Sequence, residues 1–576
     1  MPTSLSCLLE YNKIMPLTSE QQALLDLPIQ SKIFLQGTAG TGKTTAGIQW
    51  LKKLVSSGIP AHQILIYVPQ RALAEPYLAS LNTNNLTAHS LVTSVTMGGL
   101  ARRMVDLYWP LVSRETGVEN PDLPPHFLTL ETAQYYMAHL VRPLIENEGF
   151  FDSLTINRNR IYSQILDNLN KAAIVGFPLE EIGQRLKAAW VGNIEQLHIY
   201  DNVQQCTSLF RGFCLKNNLL DFSLQVEIFT KHLWTQDLVR DYLHRTYRHI
   251  IVDNIEEDTP VSHDILRAWL PQFDSALVIF DEGAGYRFFL GADTHSALSL
   301  RKVCESTIEF EQNLVNSSGI SQLKVGIHHA IDQLQGERAE TPDLSTETLQ
   351  SALMAPGENI KYFPAMIDWV SEQISSLIQQ GVPPGEIVVL APFMPDVMRF
   401  TLTNQLDALG IPNQSHRPSR SLRDEPATQT MLTLATIAFS HWGMLPKRIN
   451  FAFALMQVID GLDLVRANLL ASHVYKPHSG EFVLQPFETV PAEVRDRVTY
   501  LAGQRYNQLR DWLQASKQEE ALTLDFFLNR LFGEVLSQHG FNYHNDLDSG
   551  KTVANLVESI QKFRWATADQ LFPGSG

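Results

Sequence analysis

A glycine-rich loop near the amino end limits the folds that are open to this chain. Residues 31–45 read SKIFLQGTAGTGKTT, in which residues 33–35 are apolar and residues 37–44 match GxxxxGK[ST] completely. Glycines at these positions let the backbone fold closely around a phosphate, with successive N–H groups pointing at it. An amphipathic helix is predicted to follow and to end at Gly58, and its N-terminal dipole favours the anion. Strand, loop and helix in this order predict an α/β fold with a nucleotide site at the edge of a parallel sheet.

Residues in and near this loop are predicted to bind different parts of ATP. Lys43 adds a positive charge on the outer phosphates and is assigned to catalysis, and the hydroxyl of Thr44 can hold Mg²⁺. Gln21 lies about one short helix before the strand, and its amide suits the edge of adenine. The alternative for Gln21 is an ordinary helix-start residue capped by Ser19 or Thr18. The residues of this part of the chain that are predicted to bind the nucleotide are Gln21, Gly37, Thr38, Ala39, Gly40, Thr41, Gly42, Lys43, Thr44 and Thr45.

An acidic segment follows a second apolar run. Residues 248–260 read RHIIVDNIEEDTP, and the apolar run of residues 249–252 ends at Asp253. A buried parallel strand that reaches the sheet edge at a carboxylate is typical of sites that handle phosphates. Asp253 is therefore a second candidate residue of the same site.

Composition excludes several other classes of protein. The 576 residues suffice for about three or four domains, and 44% hydrophobic with 18% charged residues is an ordinary globular composition. No apolar run approaches the roughly 20 residues of a membrane helix, and no export signal is seen at the start. Four scattered cysteines without metal-site spacing fit a reducing cytoplasm. The net charge of −16 restricts any nucleic-acid contact to local basic surface.

Taken in order, these segments resemble the motifs of the UvrD/Rep-like superfamily 1 DNA helicases. LTSEQ is similar to the Q motif and GTAGTGKTT to the phosphate loop, while ILIYVPQRALAEPYLASL and VTSVTMGGLARRMV are similar to motifs Ia and Ib. LLDFSLQVEIF is similar to the family's LDFDDLL segment. HIIVDNIEEDTP and LVIFDEGAGYRFFLGAD are similar to motifs II and III. Their order and spacing agree from about residue 17 to residue 293. The resemblance implies a RecA-like P-loop NTPase that uses ATP and Mg²⁺ and binds single-stranded DNA.

Within this resemblance, motif II departs from the family's pattern. Asp253 keeps the metal-facing carboxylate, expected to reach Mg²⁺ through water, but Asn254 stands where the family has the glutamate that deprotonates the attacking water. An amide can orient a water molecule but cannot accept its proton at neutral pH. The loop has one residue more than DEFQDT, so a bulge could bring Glu256 or Glu257 to the water. The alternative is that both glutamates are solvated loop acids.

Motif III departs as well. The family's glutamine, which senses the γ-phosphate, aligns with Ala284, and its stacking tyrosine aligns with Arg287, beside Tyr286. The rings of Tyr286, Phe288 and Phe289 still offer faces on which bases can stack, although two of the three could instead pack in the core. Tyr286 is the DNA contact predicted here. Coupling between hydrolysis and DNA movement is the function that these changes affect most.

The resemblance also assigns roles to arginines. Arg71 in motif Ia and Arg102 and Arg103 in motif Ib are predicted to contact DNA, the alternative for each being a solvated surface patch. Arg399 lies within about one residue of the family's motif IV arginine, which contacts the γ-phosphate. A solvated helix arginine is the alternative for Arg399.

Helix and strand patterns predict the domain organisation. In chain order it comprises a first RecA-like domain (residues 1–110 and 219–300) with a large helical insertion (residues 111–218), a polar connector (residues 301–356), the start of a second RecA-like domain (residues 357–419) and a helical subdomain (residues 420–576). The second domain is expected to include a helix ending at Gly381 and a strand at residues 386–390. No stretch resembles motif V or VI. We therefore expect this second RecA-like domain to be incomplete. The sequence would then be a fragment of a longer protein or a truncated gene product, and the apolar sheet face left uncovered favours a fragment.

The function predicted from these features is a motor that couples ATP hydrolysis to movement on single-stranded DNA in repair or recombination. A second class of function stays open, a non-catalytic ATP- and DNA-binding subunit with a decayed hydrolytic site, which Asn254 and Ala284 favour. A small-molecule kinase would explain neither Gln21 nor the helical insertions. The predicted partners are single-stranded DNA and a nuclease or second helicase subunit, with no membrane contact.

Overall fold

The structure, a computed structural model, describes residues 17–82, 92–192, 194–334, 343–350, 352–357, 359–414, 422–478, 481–517 and 523–566. The chain divides into two compact units, Met1–Ala355 and Pro356–Gly576. Within the described ranges, no helix has the length and apolar character needed to cross a membrane.

A six-stranded sheet forms the centre of the first unit, and every strand pair in it is parallel. Its strands are β1 (Lys32–Thr38), β2 (Ile64–Tyr67), β3 (Thr93–Val95), β6 (His249–Val252), β7 (Ser275–Glu282) and β8 (Ser306–Phe310), in the spatial order β3-β2-β6-β7-β1-β8. Every residue of β2 and β6 is buried, as expected when helices cover both faces of a parallel sheet. The predicted RecA-like α/β fold is confirmed.

The helices of the first unit follow the predicted alternation around this sheet. They are α1 (Ser19–Asp26), α2 (Lys43–Ser56), α3 (Glu75–Asn82), α4 (Met97–Val112), α5 (Leu130–Glu148), α6 (Arg158–Val175), α7 (Ile182–Ala188), α8 (His198–Lys216), α9 (Phe222–Ile228), α10 (Asp237–Thr246), α11 (Pro260–Trp269), α12 (Thr294–Leu298), α13 (Ser318–Leu334) and α14 (Thr346–Gln350). Helices α5 to α8 lie inside the predicted insertion. A two-residue parallel pairing joins β4 (His126–Phe127), near the start of the insertion, to β5 (Leu219–Leu220), just after its end.

The predicted polar connector was wrong in part. Residues 306–310 form β8, which pairs with β1 along the register Ile33↔Ser306 to Gly37↔Phe310, and α13 follows in the same segment. As an edge strand, β8 buries fully only Phe310, so STIEF lacks the continuous apolar run of an inner strand. The first RecA-like sheet therefore extends about ten residues beyond the predicted boundary at residue 300.

The second unit contains two separate hydrophobic clusters among its described residues. Its helices are α15 (Phe363–Gln379), α16 (Asp396–Ala408), α17 (Pro426–Ala438), α18 (Arg448–Val458), α19 (Leu464–Val474), α20 (Ala492–Val498), α21 (Tyr500–Ser516), α22 (Leu524–Leu531) and α23 (Leu547–Ala566). The smaller cluster joins α15 to α16 around Ile374 and Leu406. The larger one lies among α17 to α23, around Leu434 and Phe527.

Two predictions for this unit were wrong. Residues 387–390 have no strand structure, since a strand needs a hydrogen-bonded neighbour and no described residue pairs with them. The predicted helical subdomain also contains a hairpin of β9 (Tyr475–His478) and β10 (Glu481–Leu484). The predicted end of a helix at Gly381 is confirmed, since α15 stops at Gln379 and Gly381 has a φ of +96°.

Candidate active site

The glycine-rich loop and the acidic segment meet at one edge of the sheet. They follow β1 and β6, whose carboxyl ends lie on the same side of a parallel sheet. A cavity of about 190 Å³ opens there, lined by Gly40, Gly42, Lys43, Thr44, Thr45, Asp253, Asn254, Ile279, Asp281 and Val315. We call residues 37–44 the phosphate loop and residues 253–258 the acidic loop. Residues more than two hundred positions apart in sequence thus share one site.

Glycine is required where the phosphate loop turns into α2. Gly42 has a φ of +79°, and an added Cβ would lie 2.5 Å from the Gln21 side chain. Lys43, only 6% exposed, donates from Nζ to the carbonyl oxygens of Gly37 at 2.7 Å and Thr38 at 2.6 Å. Its ammonium is also 3.4 Å from Oδ1 of Asp281. The lysine is thus held at the cavity wall, where its charge favours phosphate.

The oxygen atoms needed for a magnesium site converge beside Lys43. Thr44 donates from Oγ1 to Oδ2 of Asp253 at 3.1 Å, and the Tyr77 hydroxyl donates to the same oxygen at 2.7 Å. Burial raises the pKa of Asp253, and hydrogen bonds from Tyr77, the Asn254 amide and Thr44 oppose that rise. Mg²⁺ is usually held by one or two protein oxygens together with substrate phosphates. Thr44 and Asp253 are a donor set of that kind.

Tyr77 was not predicted from the sequence. It lies on α3, 176 residues before Asp253, and is fully buried. The sequence signal for its role was the tyrosine hydroxyl in a helix that otherwise packs against the core. A buried tyrosine hydroxyl usually has a hydrogen-bond partner.

Gln21 lies against the phosphate loop. Its Nε2 donates to the Gly42 carbonyl at 3.2 Å, while its Oε1 accepts from the Thr18 backbone at 3.1 Å. Thr18 accepts in return from the Gln21 backbone, which completes a capping box at the start of α1. Gln21 therefore takes part in the helix cap, as the alternative interpretation proposed, and it also lies beside the phosphate loop. Recognition of adenine stays a prediction.

The segment after β8 lies over the phosphate loop, an arrangement that the sequence did not predict. The Asn313 side chain donates to the Ala39 carbonyl at 2.8 Å, and the Leu314 backbone donates to the Gly40 carbonyl at 2.8 Å. Val315 then lines the cavity. Within the loop itself, the remaining predicted residue Thr41 donates from Oγ1 to the Thr38 carbonyl at 2.9 Å.

The acidic loop turns its glutamates away from the cavity. Asn254 lines the cavity and has left-handed backbone angles (φ +57°, ψ +42°). A short 3₁₀ turn, Ile255–Glu257, follows, and the side chains of Glu256 and Glu257 lie outside the cavity wall. Glu256 is fully buried, and its Oε2 accepts from the Asp281 backbone at 3.0 Å. Burial raises the pKa of Glu256 to about 7. Its Oε1 has no hydrogen-bond partner within the described part of the chain.

Glu257 is directed to motif III. Its carboxylate accepts from the backbone amides of Gly285, Tyr286 and Arg287 at 3.0–3.1 Å. The loop forms a 3₁₀ turn after Asn254, and neither Glu256 nor Glu257 lines the cavity. Asp281, which the sequence did not single out, does line it. Besides Asp253, Asp281 is the other carboxylate in the cavity wall among the described residues.

We call Tyr286–Leu290, a 3₁₀ segment, the aromatic turn. Tyr286 and Phe288 are 74% and 75% exposed, and Phe289 is also exposed, so the core-packing alternative was wrong for all three. Arg287 lies back against the motif Ia loop, where the Gln70 carboxamide, when turned with its oxygen toward the guanidinium, accepts from Nε and Nη1 at 3.2 Å each. Ala284, just before the turn, lies outside the nucleotide cavity wall.

A larger groove, of about 950 Å³, lies beside the aromatic turn. One wall is the carboxyl edge of the sheet, and the other is the helical insertion. Representative residues of the sheet wall are Pro69, Thr96, Met97, Glu257, Arg287 and Phe289, and of the helical wall Phe151, Ile165, Asn168, Lys171, Trp190 and Tyr200. Apolar and aromatic side chains predominate, with a few polar groups between them.

The predicted DNA-contacting arginines lie outside this groove wall. Arg71 is exposed at the start of a 3₁₀ turn after β2. Arg102 stacks its guanidinium on the Phe127 ring, 4.7 Å from the centroid. Arg103 donates to the Tyr247 hydroxyl at 2.9 Å, and Tyr247 precedes β6, at the sheet edge opposite the cavity. Arg399 lies on α16, in the second unit. The roles of Arg71, Arg102 and Arg399 stay predictions, and the position of Arg103 disfavours its predicted contact.

Comparison with known proteins agrees with this geometry. The chain matches the family model of the UvrD/REP helicase N-terminal domain over residues 17–304, half of its length. No curated protein matches it. The matched range includes the sheet through β7, the helical insertion and both loops of the nucleotide cavity. The chain therefore belongs to the UvrD/REP helicase family.

Proposed function

We propose that this chain is an ATP-driven motor that moves on single-stranded DNA, as a helicase or translocase in repair or recombination. One observation supports this function above the others. The acidic loop borders the nucleotide cavity at Asp253 and Asn254 and the groove at Glu257 and Asp258. A change in one short segment on nucleotide binding would therefore reach both sites.

ATP would bind with its phosphates in the cavity between the phosphate loop and the acidic loop. The free N–H groups at the start of α2 and the charge of Lys43 hold the phosphates, and Thr45 adds a further wall. Thr44 and Asp253 would hold Mg²⁺, which would supply positive charge to neutralise the phosphates. Gln21, next to Gly42, contacts the base.

Hydrolysis needs an acceptor for the proton of the attacking water, and Asn254 is not one. Asp253 already accepts from Thr44, Tyr77 and the Asn254 amide. Oδ1 of Asp281 accepts no hydrogen bond from the described residues, and its neighbour Lys43 would turn to the phosphates. We therefore assign to Asp281 the role of accepting the proton of the attacking water. Glu256 supports Asp281 by accepting a hydrogen bond from its backbone amide.

The step assigned to Asp281 is a simple displacement. A bond forms between the water oxygen and the γ-phosphorus, and the bond from that phosphorus to the bridging oxygen breaks. ADP leaves with the bonding pair, and the water proton passes to Asp281, which releases it to phosphate or solvent. Asn254 orients the water through its amide.

Single-stranded DNA would occupy the groove. Bases can stack on the exposed rings of Tyr286, Phe288 and Phe289, each worth about 1–3 kcal/mol. Lys171 and Arg287 supply local positive charge in the groove wall, which a chain of net charge −16 needs for contact with a phosphate backbone. A nuclease or a second helicase subunit is a further proposed partner.

A second candidate function is a subunit that binds ATP and DNA without turnover. Asn254 at the cavity wall favours it, together with the distance that the 3₁₀ turn puts between the cavity and both glutamates. The two candidates differ in hydrolysis alone, so one assay separates them.

The test is ATP turnover by the 576-residue chain with Mg²⁺, with and without single-stranded DNA, alongside ATP binding. The motor is supported if DNA stimulates turnover and Lys43→Ala lowers it by roughly 10²–10³-fold, as for the loss of one key charged donor. Lys43-dependent ATP binding without turnover would support the second candidate instead. Absence of both ATP binding and DNA binding would overturn both candidates.

A further inference from the structure

A single carboxylate holds three consecutive backbone amides at the start of the aromatic turn. Oε1 of Glu257 accepts from Gly285 at 3.1 Å and Tyr286 at 3.0 Å, and Oε2 accepts from Arg287 at 3.0 Å. The first N–H groups of a helical segment have no partner within the segment. Glu257 supplies that partner from 28 to 30 residues away. Successive N–H groups of this kind form an anion-binding concavity, which the chain fills with its own side chain.

The backbone before the aromatic turn adopts a conformation that needs such support. Gly285 has a φ of +101°, and an added Cβ would lie 2.3 Å from the Thr294 side chain. Tyr286 and Phe288 extend into solvent instead of packing below the turn. A further side-chain anchor is the contact of Arg287 with the Gln70 carboxamide, at 3.2 Å when the amide oxygen faces the guanidinium. Glu257 thus provides the bonds with shorter distances, and they carry a full charge.

The same glutamate is tied to the nucleotide cavity by a short, closed path. The Glu257 amide donates to the Asn254 carbonyl at 3.0 Å, which closes the 3₁₀ turn Ile255–Glu257. Asn254 in turn donates to Oδ1 of Asp253 at 2.9 Å. Ile255 is fully buried between these residues. A shift of Asp253 or Asn254 on nucleotide binding therefore moves Glu257 as part of one unit.

We propose that Glu257 is a positioning residue that couples the nucleotide cavity to the grip of the aromatic turn on single-stranded DNA. The proposal rests on the proposed binding of ATP and DNA, but it needs no hydrolysis. The acidic loop moves when a nucleotide fills the cavity, and Glu257 carries that movement to the three amides of the turn. The exposed rings then change position relative to the groove.

The test uses the full chain with Glu257→Gln and a matched control, Glu282→Gln, at the end of β7. A glutamine at position 257 loses the charge and places an NH₂ group against at least one backbone N–H, so the clamp is broken. Glu282 lines neither the cavity nor the groove. Glu257→Ala serves as a second variant because it removes the side chain without adding a donor.

Two readouts are measured. Amide hydrogen exchange of residues 285–287 should accelerate about tenfold in both Glu257 variants, as for the loss of a charge-assisted hydrogen bond. The affinity for a labelled oligothymidylate is measured by fluorescence anisotropy with and without a non-hydrolysable ATP analogue and Mg²⁺. The parent chain should show a ratio of about fivefold or more between these two affinities, and the Glu257 variants a ratio near one. Glu282→Gln should match the parent in both readouts.

Two results would overturn the proposal while the proposed function stands. One is unchanged exchange of the three amides, which would mean that Glu257 does not hold the turn. The other is faster exchange with an unchanged affinity ratio, which would mean that the clamp is structural only. A parent chain that binds neither oligothymidylate nor the analogue would refute the proposed function itself, and the exchange readout would still report on the clamp.

Discussion

The phosphate loop and the acidic loop border one cavity, but they follow the family's pattern to different extents. Gly37 to Thr44 match it at every defined position, and Lys43 and Thr44 lie at the cavity wall. In the acidic loop, Asp253 keeps the first carboxylate of the pattern and lies at the cavity wall. Asn254 replaces an acid, and the two glutamates that follow bond to β7 and to the aromatic turn.

The difference reflects what each loop requires. Phosphate binding uses backbone N–H groups and one lysine, whose positions follow directly from the glycine spacing. Proton transfer depends on a single carboxylate being placed within hydrogen-bond distance of one water molecule. One extra residue and a left-handed Asn254 suffice to move such a group, although the strand and loop around it are kept. Of the two proposed activities of this site, nucleotide binding should thus be the more robust and hydrolysis the more easily altered.

Replacing Asp281 should produce the largest effect on this comparison. Asp281→Asn removes the carboxylate proposed to accept the water proton, so turnover should fall about 10³-fold, within the usual range for a general base. ATP affinity should stay similar or increase, because Lys43 loses its partner at 3.4 Å and is free for the phosphates. Steady-state turnover and titration with a fluorescent ATP analogue measure the two quantities.

Glu282→Gln, one residue further along β7, is the matched control for this variant and should keep the parent turnover. If Asp281→Asn turned over ATP at the parent rate, the proton would have to go elsewhere and the assignment would fail. If it lost ATP binding instead, Asp281 would belong with the phosphate loop as part of the binding site.

Replacing Glu256 with glutamine should produce a smaller effect, a change in how stability depends on pH. The pKa of Glu256 is raised from 4.5 in an unfolded chain to about 7, so between these values the unfolded state releases a proton that the folded state keeps. Stability from this group is therefore fully present below pH 4.5 and is lost as pH rises through 7, by at most roughly 3 kcal/mol. The variant cannot ionise, so its stability should fall less steeply than that of the parent.

Unfolding midpoints of both proteins from pH 5 to pH 8 measure this difference in slope. The slope is informative even if the glutamine lowers stability at every pH by leaving a buried N–H without a partner. Parallel curves would mean that Glu256 ionises normally in the fold, and that the acidic loop is more solvated than its burial indicates.

The sequence predicted those parts of the site that depend on local pattern. The phosphate loop, the apolar run ending at Asp253 and the motif order each depend on neighbouring residues, and the sheet confirms their arrangement. Tyr77, Asp281 and Val315 were not predicted, because each depends on contacts between distant segments. Tyr77 bonds to Asp253, and Asp281 and Val315 line the cavity. Apart from the hydroxyl of Tyr77, no local pattern distinguishes these residues from core or loop positions.

Strand prediction failed in both directions for a related reason. STIEF at residues 306–310 has half-exposed polar positions, yet it is a strand because β1 offers a free edge. Residues 387–390 have the apolar, β-branched composition of a strand, yet they form none, since no described residue pairs with them. Strand formation depends on the neighbouring strand as much as on the residues themselves.

The smallest expected effect concerns Asn254, and a pair of variants separates its two roles. At φ +57°, alanine should cost about 1 kcal/mol of stability, because a Cβ without a local hydrogen-bonding group is disfavoured in the left-handed region. Glycine adopts this conformation freely and should cost only a few tenths. Both variants lose the amide, so both should lose turnover equally, by a few-fold, if Asn254 only orients the water. Chemical unfolding and turnover of the two variants give these values. A loss of turnover as large as that of Asp281→Asn would move the catalytic centre back to the residue after Asp253, and the two loops would then differ far less than their sequences indicate.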